Sequence, residues 1–353
     1  MVDLGRLLAA RPVVLAPMAG AGGVDLAVAA LSGGGIGSLP CALLTPAQIV
    51  EQAAAVRARA DGPINLNFFC HRLADTVDEG PWQALLAPYY TEYGVGPPDR
   101  PPPLRNPFDA AMADAVEEVR PEIVSFHFGL PDEALLARVR ATGAAIICSA
   151  TSVGEASWLS AAGVDGVIAQ GFEAGGHTGR FLPAPPGTEM GLFSLLQQIE
   201  RAVAVPVIAA GGIADRRGVA AAFALGADAV QVGTAYLPCP ESLAAPLHRA
   251  LLTGGGKGEV SVTRFTNLIS GGLARGMPNR LIEEAGPINP AAPPFPHASS
   301  ALAELRKAAE AEGRTDFSTL WAGQSASLGR EMPAEELTRH LVAAARRAQG
   351  ETP

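Results

Sequence analysis

Residues 165–181 read DGVIAQGFEAGGHTGRF. Val167, Ile168 and Ala169 form a short apolar run that Gln170 ends, the pattern of a strand buried on both faces. Gly171 and Glu173 follow, then Gly175, Gly176 and His177, with Gly179 just beyond. Such a glycine-rich loop lets backbone amides come close to a ligand. It also holds one imidazole at the strand's mouth, the side chain most easily tuned for proton transfer near neutral pH. The other reading of His177 is a surface histidine among turn glycines.

Outward from this strand, short apolar runs recur at 13–16, 35–39, 64–69, 123–128, 144–149, 206–210 and 229–234, which makes eight with 164–170. Between most of them lie helix-like stretches such as 46–60, 132–141, 154–162 and 216–225, the alternation expected of a parallel sheet. Pro46 and Pro131 suit first-turn positions, Asp215 can cap, and Ser152 with Glu155 has capping-box spacing. Eight such units predict an α/β fold of the (β/α)8 TIM barrel type over residues 1–237.

The link between the third and fourth runs is oversized and carries Trp82, Tyr89, Tyr90, Tyr93 and the proline cluster 97–103. It reads as an excursion over one barrel face, its tyrosines either lining a pocket or anchoring the loop. After the eighth run the rhythm stops. Residues 238–317, with the triple glycine 254–256 and a proline-rich passage at 287–296, predict a small, mostly helical cap. Residues 318–353 return to the barrel and close on an amphipathic helix over 335–349, with Leu337, Leu341 and Val342 on one side.

A net charge of −9 with acids and bases interspersed supplies no phosphate-neutralising patch for nucleic acid. Cys41, Cys70, Cys148 and Cys239 lie far apart and make no metal-ligand or disulfide framework, so the expected setting is a reducing cytoplasm and no metal is expected. No apolar run reaches the roughly 18 residues of a membrane span. Cys148 stands at a strand end, but its apolar flank argues against a thiol nucleophile.

The working face of a barrel lies at the carboxyl ends of its strands. Those ends bring together Ala16, Pro17 and Met18, Asn67, His127, Ser149, Gln170, Gly175 and His177, Gly211 and Gly212, and Gln231, Gly233 and Thr234. Glycines after the seventh and eighth runs match the place where barrels bind phosphate through backbone amides and a helix N-terminus. Neither AGAGG (19–23) nor SGGGIG (32–37) completes a dinucleotide fingerprint, and TGGGKG (253–258) is no Walker loop. A mononucleotide is the simpler fit. The amides of Asn67 and Gln170 suit a ribityl chain or a ring edge with donors and acceptors, and FMN has both.

Taken in order, LAPMAGAGG (15–23), NLNFF (65–69), FHFGLP (126–131), CSATSVGEA (148–156), AQGFEAGGHTG (169–179), PVIAAGGI (206–213), QVGTAYL (231–237) and LWAGQ (320–324) resemble the nitronate monooxygenase family over nearly the whole chain. The resemblance implies a TIM barrel with a small added domain, an FMN cofactor and oxidation of nitronates by molecular oxygen. It also implies that Ala16 to Met18, Asn67, Gln170, Gly175, Gly212 and Gln231 to Thr234 contact FMN, and that His177 is catalytic. Family members often read GGHRG where this chain has Thr178, so Arg180 is the substitute guanidinium. Segment 292–301 lacks the tyrosines and lysine found on the substrate side of many members.

A nitronate is a delocalised anion, and His127 and His177 are candidate donors to it. Toward a neutral nitroalkane His177 would act as general base. His127 has the second reading of an interior histidine satisfied by a neighbour. Three rival functions remain: an FMN enzyme fed by a nicotinamide, a flavin-binding module without turnover, and a flavin-free sugar-phosphate isomerase. The oligomeric state is left open.

Overall fold

Each apolar run becomes a strand because it can bury both faces, one against the barrel interior and one against a helix layer. The computed structural model describes residues 2–98, 104–185, 187–254 and 262–350. Its barrel strands are β1 (Val13–Leu15), β2 (Gly37–Pro40), β3 (Ile64–Phe69), β4 (Ile123–His127), β5 (Ala145–Ala150), β6 (Gly166–Gln170), β8 (Val207–Ala210) and β9 (Ala229–Val232), with β7 (Gly176–His177) outside the barrel. All neighbours are parallel, in the order β1-β9-β8-β6-β5-β4-β3-β2. Val14 meets Ile36 to bring the two edges together. Leu15 N donates to Ile36 O at 3.0 Å there, and Ile36 N to Val13 O at 2.8 Å.

The barrel interior is filled by Val14, Ile36, Ile147, Ile168, Ile208 and small alanines. Leu4 and Leu8 of the helix Leu4–Ala10 join this cluster and close the end where the strands begin. Full burial of a leucine contributes about 1.5–3 kcal/mol. Gly166 opens β6 beneath Leu4, where a Cβ would lie 2.6 Å from Leu4 Cδ2.

Helix starts follow the local signals with two corrections. Thr45 and Gln48 form a full capping box with Pro46 in the first turn, and Asp215 caps Arg216–Ala224. Pro131 stands before the cap instead of in the first turn, because Asp132 takes the cap of Glu133–Ala141. Ser152 caps Val153–Ala161, yet the Glu155 carboxylate accepts from Thr151 N at 2.7 Å, Phe181 N at 2.7 Å and Leu182 N at 3.0 Å. Three orphan amides outweigh one reciprocal cap bond, so Glu155 fixes the chain beyond His177. The closing helix Ala334–Ala348 packs against Val24–Ser32 and Arg216–Ala224.

A second hydrophobic cluster covers the carboxyl-end face. The excursion folds as the helix Gly80–Tyr93, and its Trp82, Tyr89 and Tyr90 are buried with Leu268, Leu281, Leu305 and Phe317. Each ring places its polar tip on a partner: Trp82 Nε1 on Ala298 O at 3.1 Å, Tyr89 on Glu284 at 2.8 Å, Tyr90 on Ala301 O at 2.6 Å and Tyr93 on Asp316 at 2.9 Å. The tyrosines are anchors. Residues 99–103 of the proline cluster, and Gly255 and Gly256, lie outside the described residues.

The region after β9 also contains strands, where the sequence shows mainly helical pieces. β10 (Arg264–Thr266) and β11 (Ala274–Gly276) form an antiparallel sheet with β7, in which Ala274 faces His177 and Arg275 faces Gly176. Among the described residues no helix is long and apolar enough to cross a membrane.

Candidate active site

A cleft of about 470 Å³ opens at the carboxyl ends of the strands, a size usual for a small-molecule site. Ala16, Pro17 and Met18 from the β1 end line it, as do Asn67, Ser149, Gln170 and Gly175. Gly211, Gly212, Gln231, Gly233 and Thr234 complete the set expected to hold a cofactor, and His127 and His177 border the same space.

The polar groups are committed unequally. Asn67 Nδ2 donates to Ser125 Oγ at 3.0 Å, which leaves Oδ1 for a ligand. Gln170 clamps the loop, with Nε2 donating to His177 O at 2.9 Å and Oε1 accepting from Gly179 N at 2.6 Å. Gln231 Oε1 is buried with no partner, so it calls for a donor from a bound group. Gly211 and Gly212 have φ of +105° and +71°, the left-handed region that favours glycine. The helix after β8 has its first amides taken by Asp215, at 2.9 Å from Arg217 N and 3.0 Å from Gly218 N. The backbone at Gly211 to Gly212 and at Gly233 to Thr234 lines the cleft beside that helix end.

The loop carrying His177 is fixed from several sides. Glu173 accepts from Leu192 N at 2.8 Å and so caps a helix that has no capping residue of its own. Arg275 is buried between the rings of Phe172 and Phe265, at 4.5 Å and 4.2 Å, and its Nε donates to Phe172 O at 3.0 Å. Gln324 N donates to Glu173 O at 2.9 Å, and Gly323 N to Thr234 Oγ1 at 3.0 Å. The LWAGQ segment thus straps the loop to the end of β9.

His177 is 9% exposed and lies among Phe295, Trp321, Phe128 and Phe69, with centroid distances of 5.0, 5.4, 6.0 and 6.2 Å. Burial holds its pKa well below the usual histidine range, and the positive charge of the Arg105 guanidinium acts in the same direction. It is a neutral imidazole.

His127 is satisfied by its neighbours. Its Nε2 lies 3.2 Å from His177 O, and a carbonyl only accepts, so the proton is on Nε2. Nδ1 then accepts from the Ser149 hydroxyl at 3.0 Å. Both ring nitrogens are used within the protein, so His127 positions the His177 backbone and has no nitrogen free for a substrate.

Arg180 is not among the cleft-lining residues. Its guanidinium pairs with Glu189 at 2.9 Å. One guanidinium in the cleft wall belongs to Arg105, whose Cζ stands 5.7 Å over the Phe295 ring and whose carbonyl accepts from His71 Nε2 at 2.9 Å. Arg306 also lines the cleft, with one guanidinium nitrogen buried and unpartnered, and His248 does so with Nε2 unpartnered. Local sequence carries no signal for these three, although Trp321 stands inside a motif that does. Burial pushes the Cys148 thiol upward, and its hydrogen goes to Gly129 O at 3.3 Å, which removes it as a nucleophile.

A family model described as nitronate monooxygenase matches residues 3–344. A nitronate monooxygenase from Paraburkholderia phytofirmans is 42% identical over 338 residues, which cover 94% of this chain and 91% of the relative. A nitroalkane oxidase from Streptomyces ansochromogenes superposes with a TM-score of 0.86 at 35% identity, covering 99% of both chains. A FabK variant from Thermotoga maritima superposes with a TM-score of 0.72 at 26% identity, over 99% of this chain and 98% of its own. The chain belongs to the nitronate monooxygenase family and is an oxidoreductase of that family.

Proposed function

We propose that this enzyme uses FMN to oxidise alkyl nitronates with molecular oxygen. The observation that carries the reading is His177, buried and boxed by aromatic rings on the wall of a cleft that is also lined by glycines and by Gln231, whose amide oxygen has no partner. The residues present fit the cofactor. Gln231 Oε1 and Asn67 Oδ1 are acceptors for ring or hydroxyl donors, and Gly211, Gly212 and Gly233 line the cleft, where backbone amides can meet a phosphate. When bound, FMN would accept electrons from the substrate carbon and pass them on to oxygen.

The protein's own groups do the rest. Arg105 supplies positive charge at the cleft wall and attracts an anionic nitronate. His177 meets the nitronate oxygens as a hydrogen-bond partner, and the rings of Phe295 and Trp321 exclude water and strengthen that contact. The experiment is an anaerobic titration of the purified yellow protein. Bleaching by a nitronate supports the proposal. Bleaching only by NAD(P)H would replace it with the nicotinamide-fed reading, and a colourless protein that takes up no added FMN would end the flavin reading.

A further inference from the structure

We infer that Ser270 holds His177 in the tautomer with its proton on Nδ1, so that the side chain meets the cleft as a hydrogen-bond donor. The two residues are 93 positions apart and meet because β11 pairs with β7. Ser270 is 1% exposed and its Oγ lies 2.8 Å from His177 Nε2. The hydroxyl already accepts from Gly272 N at 3.3 Å. Its own proton has two acceptors within reach, His177 Nε2 at 2.8 Å and Gly272 O at 3.5 Å. An O–H···O bond is good between about 2.5 and 3.0 Å, so the hydroxyl donates to Nε2. A neutral imidazole that accepts at Nε2 carries its proton on Nδ1.

The surroundings leave Nδ1 to the cleft. The Cδ2 edge of His177 faces the Gly272 backbone, where a Cβ would come within 3.3 Å of Cδ2. Among the described residues Nδ1 has no hydrogen-bond partner, and His177 lines the cavity. A donor at that point matches the oxygens of a nitronate. Acting as a base toward a neutral nitroalkane would first require Nδ1 to lose its proton and Nε2 to gain one. The Ser270 hydroxyl would then have to turn to an oxygen 3.5 Å away. Ser270 is a positioning residue that biases the site toward preformed anions.

This inference rests on the reading of His177 as the group facing substrate, and the test separates the two. Full-length protein carrying ¹⁵N-labelled histidine is compared by long-range ¹H–¹⁵N correlation in wild type, Ser270→Ala and Ser270→Thr, with His177→Asn used for assignment. The expected wild-type spectrum shows a protonated, pyrrole-type Nδ1 and a bare, pyridine-type Nε2 for His177. Ser270→Ala should mix the tautomers and raise the KM for a nitronate about tenfold at nearly unchanged kcat, as the loss of one hydrogen bond predicts. Ser270→Thr keeps the hydroxyl and should restore both. A wild-type Nε2–H, or a tautomer ratio indifferent to Ser270→Ala, overturns the inference whatever the activity. A protonated Nδ1 in a protein that turns over no nitronate upholds the tautomer and removes the functional reading instead.

Discussion

His127 donates through Nε2 to the main-chain oxygen of His177 at 3.2 Å, so one histidine of the cleft holds the backbone of the other. The same oxygen accepts from Gln170 Nε2 at 2.9 Å. Two donors on one carbonyl fix the peptide from which the His177 ring projects. His127→Phe fills the space but removes the donor and leaves Ser149 Oγ without its partner. Steady-state kinetics should show kcat/KM for a nitronate lowered about tenfold, with FMN absorbance per chain unchanged. Wild-type kinetics would mean that Gln170 alone suffices.

His177→Asn keeps a donor on a shorter side chain and removes the imidazole. Nitronate turnover should survive with a KM raised ten- to a hundredfold, the cost of a hydrogen bond to a charged group, while turnover of neutral nitroalkanes disappears. FMN content should stay near wild type. If kcat for the nitronate collapses and KM holds, His177 takes part in the chemical step and does more than bind the anion.

Gly212 has φ of +71° and a Cβ there would meet Glu173 Cβ at 3.4 Å, so a side chain fits in space at some backbone strain. Gly212→Asp places a carboxylate against the proposed phosphate, and like charges repel in a partly desolvated site. The ratio of flavin to protein absorbance should fall to a small fraction of wild type. Full FMN occupancy in this variant would move the phosphate to another part of the cleft.

Acid should destabilise the fold through its buried histidines. Burial lowers His127 and His248 to about 4, and His71 and His177 shift in the same direction. In the unfolded chain these groups titrate near 6.5, so between about pH 6.5 and 4 the unfolded state binds protons that the folded state refuses. Their stabilisation is complete above that window and is lost as pH falls through it. From pH 7 to pH 5 the loss is about 2 kcal/mol each for His127 and His248. Urea midpoints measured across this range check the sign, and a midpoint that holds or rises toward pH 5 would show that these histidines are charged in the folded protein.

The barrel and the residues at its rim were legible in the sequence because both are local consequences of chain pattern. A run such as 164–170 signals a strand buried on both faces by its own composition, and eight such runs alternating with capped helices bring Ala16, Asn67, Gln170 and Gly212 to one face through topology alone. What the tertiary structure decided is which polar group meets which. Arg180 goes to Glu189 while Arg105, from the excursion, takes a place in the cleft. Glu155 leaves its capping box for the amides of Phe181 and Leu182. Gly176 and His177 become a strand only because Ala274 and Arg275 pair with them, and that pairing brings Ser270 to the imidazole. Hydrogen bonds and ion pairs between segments as much as 223 residues apart leave no periodicity in either segment, since each partner is a single polar group whose choice depends on what the packed core leaves within about 3 Å.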